Sequence, residues 1–225
     1  MSGRISIIVP TRNEEQRIAQ TLGCLREPEV LEVIVVDGGS EDRTREIARS
    51  LVDRLVEASP GRARQMNAGA RLARGDVLLF LHADAIVPPG FGAAIVAACS
   101  ASIGGRFDVE LDARGAIFRV IEWTINLRSR WSGLFTGDQG LFVRRDFFEA
   151  LGGYPDQPLL EDLALSKAMK RRGRIAALRA RLRTSARRWQ RHGPLRTVAL
   201  MWWIRALYFL GASPQRLARL YLDAR

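Results

Sequence analysis

The stretch LEVIVVDGGSEDRT (31–44) decides the fold. Its first half, LEVIVVD (31–37), is an almost continuous apolar run, as expected of a strand buried on both faces. Its second half, DGGSEDRT (37–44), switches to glycines that let backbone approach a ligand closely, and to Ser40, Asp42 and Thr44, each able to cap a helix. A helix over 41–50 follows on this reading. Strand, polar turn and helix in that order are the start of a strand–helix–strand unit.

The same alternation runs outward on both sides. RISIIVP (4–10) reads as a strand, and 13–26 as a helix with Asn13 at its N-cap and Pro28 beyond its end. LVDRLVEA (51–58) reads as a third strand, 62–74 as a helix closed by Gly75, and DVLLFLHAD (76–84) as another buried strand. Strands alternating with helices predict an α/β protein, one domain built on a doubly wound, mostly parallel sheet with right-handed crossovers. Such sheets bind ligands at the carboxyl ends of their strands. PTRNEE (10–15), DGGSEDRT (37–44) and HAD (82–84) are therefore expected along one rim.

The second half is less regular. GGRFDVEL (104–111) and LFVRR (141–145) read as strands, 115–130 and 160–172 as helices, and GLFTGDQG (133–140) as a loop. RIAALRARLRT (174–184) reads as an exposed strand, SARRWQRHG (185–193) as a loop, and the last 30 residues as amphipathic helix. The domain is expected over 1–193, with a nucleotide-binding half (1–103) and an acceptor and catalytic half (104–193), followed by a helical extension over 194–225.

The chain has 225 residues, 47% of them hydrophobic, enough to bury one sizeable core. Its net charge of +11 is uneven: residues 163–225 hold 16 basic side chains and one acid, whereas 1–162 hold 19 basic and 23 acidic. Such asymmetry suggests an anionic partner for the C-terminal quarter, and a solvated basic surface would give the same letters. No zinc-finger or RNA-recognition pattern accompanies the charge, so nucleic acid is not an expected partner. The two cysteines, Cys24 and Cys99, form no CxxC pattern and fit buried thiols in a reducing cytoplasm. MSGRISIIVPTRNEE reads as a first strand and not as a signal peptide. No apolar run reaches the length of a membrane span. The segment 195–210, with Trp202, Trp203, Leu207, Tyr208 and Phe209 beside arginines, suits either an anionic membrane surface or a core or homodimer helix.

The polar clusters carry the chemistry. GxGxxG and the P-loop pattern are both missing, which lowers the case for a dinucleotide oxidoreductase or a P-loop NTPase. Asp84, at a strand end, can anchor a divalent cation that bridges phosphate oxygens, because Mg²⁺ needs only one or two protein carboxylates. His82 as a further ligand would suit Mn²⁺ better, and it could equally be a packing residue. Glu161 and Asp162 open a helix, where acids are favoured by the dipole and where a carboxylate base could be held. Arg187 and Arg188 can grip a diphosphate bidentately, and Trp189 can wall a pocket. Gly137, Asp138 and Gln139 form either a plain turn or an acceptor-facing loop.

Taken in order, these clusters resemble the bacterial family 2 glycosyltransferases over residues 4–193. ISIIVPTRNEE is similar to that family's first strand and Asn-Glu turn, and VIVVDGGSEDRT to its nucleoside-binding turn. GRARQMNAGARLARGDVLLFLHAD resembles the segment leading into its DxD metal motif, EDLALSKAM its catalytic helix, and SARRW its QxxRW-type motif. The resemblance implies a GT-A fold, a nucleotide-sugar donor (UDP by preference), an unidentified acceptor, a Mn²⁺ or Mg²⁺ cofactor and an inverting reaction. It implies that Asp37 holds the nucleoside, that Thr11 and Glu14 line its pocket, and that Pro10, Gly38, Arg64, Asn67 and Ala83 belong to the donor side. Asp84 would bind the metal, Asp162 would be the base with Glu161 beside it, and Arg187, Arg188 and Trp189 would meet the diphosphate and acceptor. Two positions depart from the pattern: His82 stands for the first Asp of DxD, and Ser185 for the Gln of QxxRW. The string GGRFDV, RSR, GDQ, FVRR, LGG, ED, TSARRW further resembles short family members labelled arsenosugar-biosynthesis or selenium-associated. A nucleotidyltransferase on a related sheet is the competing enzyme reading.

Overall fold

The computed structural model describes residues 3–223. Seven strands form one sheet in the order β3-β2-β1-β4-β6-β5-β7. They are β1 (Ile5–Thr11), β2 (Val30–Asp37), β3 (Arg54–Glu57), β4 (Val77–Phe80), β5 (Gly104–Asp112), β6 (Leu141–Arg144) and β7 (Ile175–Ser185). β6 alone runs antiparallel to its neighbours, β4 and β5. Helices α1 (Ile18–Gly23), α2 (Thr44–Arg49), α3 (Arg62–Leu72) and α4 (Phe91–Cys99) belong to the first half, α5 (Ala116–Ser132), α6 (Arg145–Ala150) and α7 (Glu161–Arg172) to the second. Helices α8 (Arg187–His192), α9 (Pro194–Phe209) and α10 (Pro214–Asp223) follow.

The central strands are apolar throughout because both of their faces are covered. Side chains alternate between faces along a strand. Ile5, Ile7 and Val9 of β1 join Val33 and Val35 of β2 in a core beneath α1 and α4. Ile8, Ile34 and Val36 point the other way, into a core with Met66 of α3 and Met169 of α7. Gly69 allows α3 to approach closely, since a Cβ there would stand 2.5 Å from Ile8 Cγ2. β7 forms an edge whose Arg179, Arg181 and Arg183 face solvent, while Leu182 and Thr184 turn inward. Exposed cations on an edge discourage pairing with another sheet.

Several expected boundaries change. The helix expected over 13–26 is only Ile18–Gly23. Asn13 is in the left-handed region at φ 53, and its Oδ1 accepts a bond from Glu41 N rather than capping its own helix. The segment expected as a loop at 185–193 contains α8. The terminal helix is two helices, parted where Gly211 adopts φ 92 and Pro214 begins the next. α9 and α10 pack on Leu160 and Leu163 at the start of α7, through Ile204, Leu217 and Tyr221. Cys24 and Cys99 are free thiols. Among the described residues, no helix is long and apolar enough to cross a membrane.

Candidate active site

The loops after β1 and β2 are stitched to each other. Asn13 N donates to Ser40 Oγ at 2.9 Å and Glu14 N to Thr44 Oγ1 at 2.7 Å. Asp37, fully buried, accepts from the amides of Gly39 and Ser40 and from the Ser40 hydroxyl, so it shapes the turn as well as ending the strand. Its Oδ1 takes one of these bonds and keeps a lone pair. Gln65 of α3, which the sequence reading passed over, donates to the carbonyls of Thr11 and Val36 and clamps the two strand ends together. A Cβ on Gly38 would stand 2.9 Å from the Gln65 amide. Pro10, its side chain buried, sits within β1.

The end of β4 meets this rim. Ala83 is buried, and its carbonyl accepts from Thr21 Oγ1. Arg187 reaches over from α8 to Glu14, which it contacts tightly, and its Nη2 lies 3.8 Å from Asp84 Oδ2. The guanidinium therefore stands between two carboxylates, each less than one-fifth exposed. Thr11 Oγ1 and Glu14 Oε2 are buried without a hydrogen-bond partner. Such orphan atoms cost about 1–3 kcal/mol each, a cost that a ligand can remove.

The second half supplies the facing wall. Leu160 holds φ 62, a strained value for a branched residue, immediately before Glu161 and Asp162. Asp162 Oδ2 accepts from Gly137 N and its Oδ1 from Leu163 N, both at 2.6 Å. His82 Nε2 lies 2.7 Å from where a Cβ on Gly137 would stand, so only glycine leaves room for the imidazole there. Asp138 holds the Thr136 hydroxyl. Burial holds the His82 imidazole below its usual range, and the Arg62 charge acts in the same direction, which favours the neutral, metal-competent form. Burial, then the charge of Asp162, push the Glu161 carboxyl up to about 7, with Arg62 opposing.

Not every expected residue joins the cluster. Gln139 is fully buried and donates to Ser129 Oγ, so it anchors the loop from inside and does not face an acceptor. Asn67 bonds both backbone groups of Tyr154, and Arg64 pairs with Asp156 at 3.0 Å, so both tie α3 to the 153–156 loop. Trp189 packs with Leu111, Phe118 and Ile121 under α5 rather than standing free as a pocket wall. Arg188 lies over the Tyr221 ring, 5.3 Å from its centroid. Conversely, Arg62, Arg128 and Tyr154, which were not singled out, lie within electrostatic reach of His82, Glu161 or Asp162, and Arg205 within reach of Arg128. Arg62 is two residues from Arg64, hence on a different helix face. Arg128 lies in the RSR string (128–130) that helped carry the family resemblance, the one available signal for it.

Residues 6–148 match the glycosyl transferase family 2 profile. The chain belongs to this family. One family relative, validoxylamine A glucosyltransferase from Streptomyces hygroscopicus subsp. limoneus, is 35% identical over 105 residues, 42% of this chain and 23% of that protein. The chain covers 23% to 62% of the lengths of eight curated relatives that it matches. The mannosyltransferase PcManGT from Pyrobaculum calidifontis, solved with GDP-Man and Mn²⁺, aligns with a TM-score of 0.68 at 23% identity, over 98% of this chain and 68% of its own. S. aureus TarS 1–349, solved with UDP-GlcNAc, gives a TM-score of 0.64 at 21% identity, over 81% and 58%. The shared architecture is the GT-A fold, as the sequence resemblance implied. The narrower arsenosugar or selenium label gains no support from these relatives.

Proposed function

We propose that this family 2 chain transfers a sugar from a nucleotide donor, UDP-linked by preference, to an acceptor with inversion at the anomeric carbon. The observation that carries the reading is the convergence of Glu14, Asp84, His82, Gly137, Asp162 and Arg187 at one rim of the sheet. Thr11, Glu14, Asp37 and Gly38 would hold the nucleoside, where Thr11 and Glu14 have polar atoms awaiting partners. Arg187 would turn to the diphosphate, exchanging two carboxylates for phosphate oxygens of the same charge sign.

The donor set suits a divalent cation. Among the described residues no three His, Cys, Asp or Glu side chains gather into a complete metal shell. A nucleotide-bound cation needs fewer protein ligands, because phosphates and water complete its shell. The guanidinium between Glu14 and Asp84 already marks the spot as one that takes positive charge. Asp84 and His82 would hold Mn²⁺ or Mg²⁺ there, and its charge would offset that of the leaving diphosphate.

Asp162 is the base in this reading. Two backbone amides fix its carboxylate, and the remaining lone pairs can take the acceptor hydroxyl's proton as it attacks opposite the diphosphate. Gly137 and Asp138 would border the acceptor.

The α5 and α9 face supports a further partner, an anionic bilayer. Val120, Trp123, Leu127 and Trp131 form one stripe along α5, and Trp131 is 90% exposed. Leu195, Trp202, Trp203, Phe209 and Leu210 form a second along α9, which packs beside α5. Residues 163–222 contain no acid, so a second copy would set cation against cation, whereas anionic headgroups complement the face. The catalytic reading is tested by incubating the chain with UDP-, GDP-, CDP- and dTDP-sugars and Mn²⁺ and following nucleoside diphosphate release. Release from one nucleotide class supports it. Release from none, with nucleoside triphosphates cleaved to pyrophosphate instead, overturns it.

A further inference from the structure

We propose that Arg128 and Arg205 form a subsite for a phosphate group carried by the acceptor, an inference that rests on the sugar-transfer reading. Arg128 is on the part of α5 that meets the catalytic loop: its Nη1 donates to the carbonyl of Leu134 at 3.2 Å, three residues before Gly137. Arg205 follows Ile204 on α9, and Leu134 packs against the cluster that contains Ile204. Arg128 lies close enough to Arg205, Asp138 and Asp162 to feel their charges. The acceptor end of the site is therefore bordered by two arginines.

Neither guanidinium is satisfied. Arg128 Nη2 and Arg205 Nε are buried and meet no acceptor. Among the described residues, neither side chain has a carboxylate within ion-pair distance: Asp162 is bound by backbone amides and Asp138 by Thr136. Arg106, a fully buried arginine whose charge Arg128 also feels, behaves differently, since Asp108 and two carbonyls engage it. Burial, then the charge of Arg205, push the Arg128 guanidinium down to about 10. Two like charges with unused donors are unfavourable until an anion arrives. A phosphate monoester brings a charge of about −1.5 to −2 and three acceptor oxygens, matching two cations better than a single carboxylate would. Bound there, it would set a nearby hydroxyl of the acceptor beside Asp162.

The test titrates inorganic phosphate into the chain by calorimetry, with UDP and Mn²⁺ present so that the diphosphate pocket is filled. Arg128→Gln and Arg205→Gln are each expected to weaken phosphate binding at least about tenfold with UDP affinity unchanged, and Arg128→Lys to retain part of it. Should Arg128→Gln fail to fold, the half-buried Arg205 carries the test. Flotation with phosphatidylcholine vesicles containing phosphatidic acid, against equal phosphatidylglycerol, identifies the source. Preference for phosphatidic acid that both variants lose supports a lipid-borne phosphate, and loss of free phosphate binding alone supports a water-soluble acceptor. Equal affinity in wild type and both variants, or no phosphate binding in either format, overturns the subsite. UDP is titrated into the chain on its own, and the phosphate titration is repeated without UDP. Absence of UDP binding then counts against the transferase reading, while the dependence on Arg128 and Arg205 still decides the subsite.

Discussion

Asp162 and Glu161 are adjacent in sequence and differ in surroundings. Asp162 has both oxygens set by amides, whereas Glu161 is 4% exposed and its carboxyl is raised to about 7. Asp162→Asn is expected to lower kcat about 10²–10⁴-fold with donor affinity kept, by steady-state kinetics beside calorimetry. Near-normal turnover would remove Asp162 from the role of base. Glu161 yields a stability prediction. Its folded pKa exceeds the ordinary 4.5, so the native state binds the proton more tightly and stability falls as pH rises from about 4.5 to 7. Glu161→Gln should flatten that slope and raise stability at pH 8 on the order of 2 kcal/mol, seen in thermal midpoints across pH. A steeper slope in the variant would contradict it. That the ends of β1 and β4 bring Glu14 and Asp84 to one guanidinium was legible from the rule that ligands bind at strand ends. Arg62, Arg128, Tyr154 and Arg205 were not, because their neighbours are distant in sequence and set by packing. Gln139, Asn67 and Trp189 looked functional because polar or aromatic residues near a motif read alike whether they face in or out.

At the scale of elements, the alternation of buried faces made β1, β2 and β4 readable, since each is apolar on both sides. Boundaries were less so. The 13–26 helix shrank because the amides of Asn13 and Glu14 bond the neighbouring loop, so that the first helical turn begins only at the Glu14 carbonyl. α6 was hidden because a short helix leaves too few residues to show a period. Glu32, the acid in the middle of β2, broke no pattern yet is fully buried. It accepts from Ser6 Oγ and Arg74 N and pairs with Arg74 and Arg54. Burial pushes its carboxyl up, and the bonds from Arg74 and Ser6 outweigh that and hold it below the usual range. Glu32→Ala should therefore cost about 1–3 kcal/mol in denaturant unfolding, by stranding the Ser6 hydroxyl and the Arg74 amide. A variant as stable as wild type would show that water replaces the carboxylate.

Across the whole molecule, charge and apolar surface are segregated. Residues 1–162 hold 23 of the 24 acids, and the excess cations and exposed tryptophans gather in the second half. The uneven charge was plain in the sequence, but the α5 stripe was not, because its period equals that of a core helix. The chain is expected to float with vesicles containing phosphatidylglycerol and less so at high salt, and the joint replacement of Trp123, Trp131, Trp202 and Trp203 by Ser should abolish it. A chain that sediments without lipid would leave the face to another occupant. The central claim is that the rim built around Asp84 binds a nucleotide sugar through a divalent cation. Calorimetric titration of UDP-sugars, with GDP-sugars as the control series, tests it most directly in wild type and Asp84→Ala, each with Mn²⁺ and with chelator. The account predicts binding that needs Mn²⁺ in wild type and is lost in Asp84→Ala. Equal affinity with and without metal in both proteins, or no nucleotide binding at all, would contradict it.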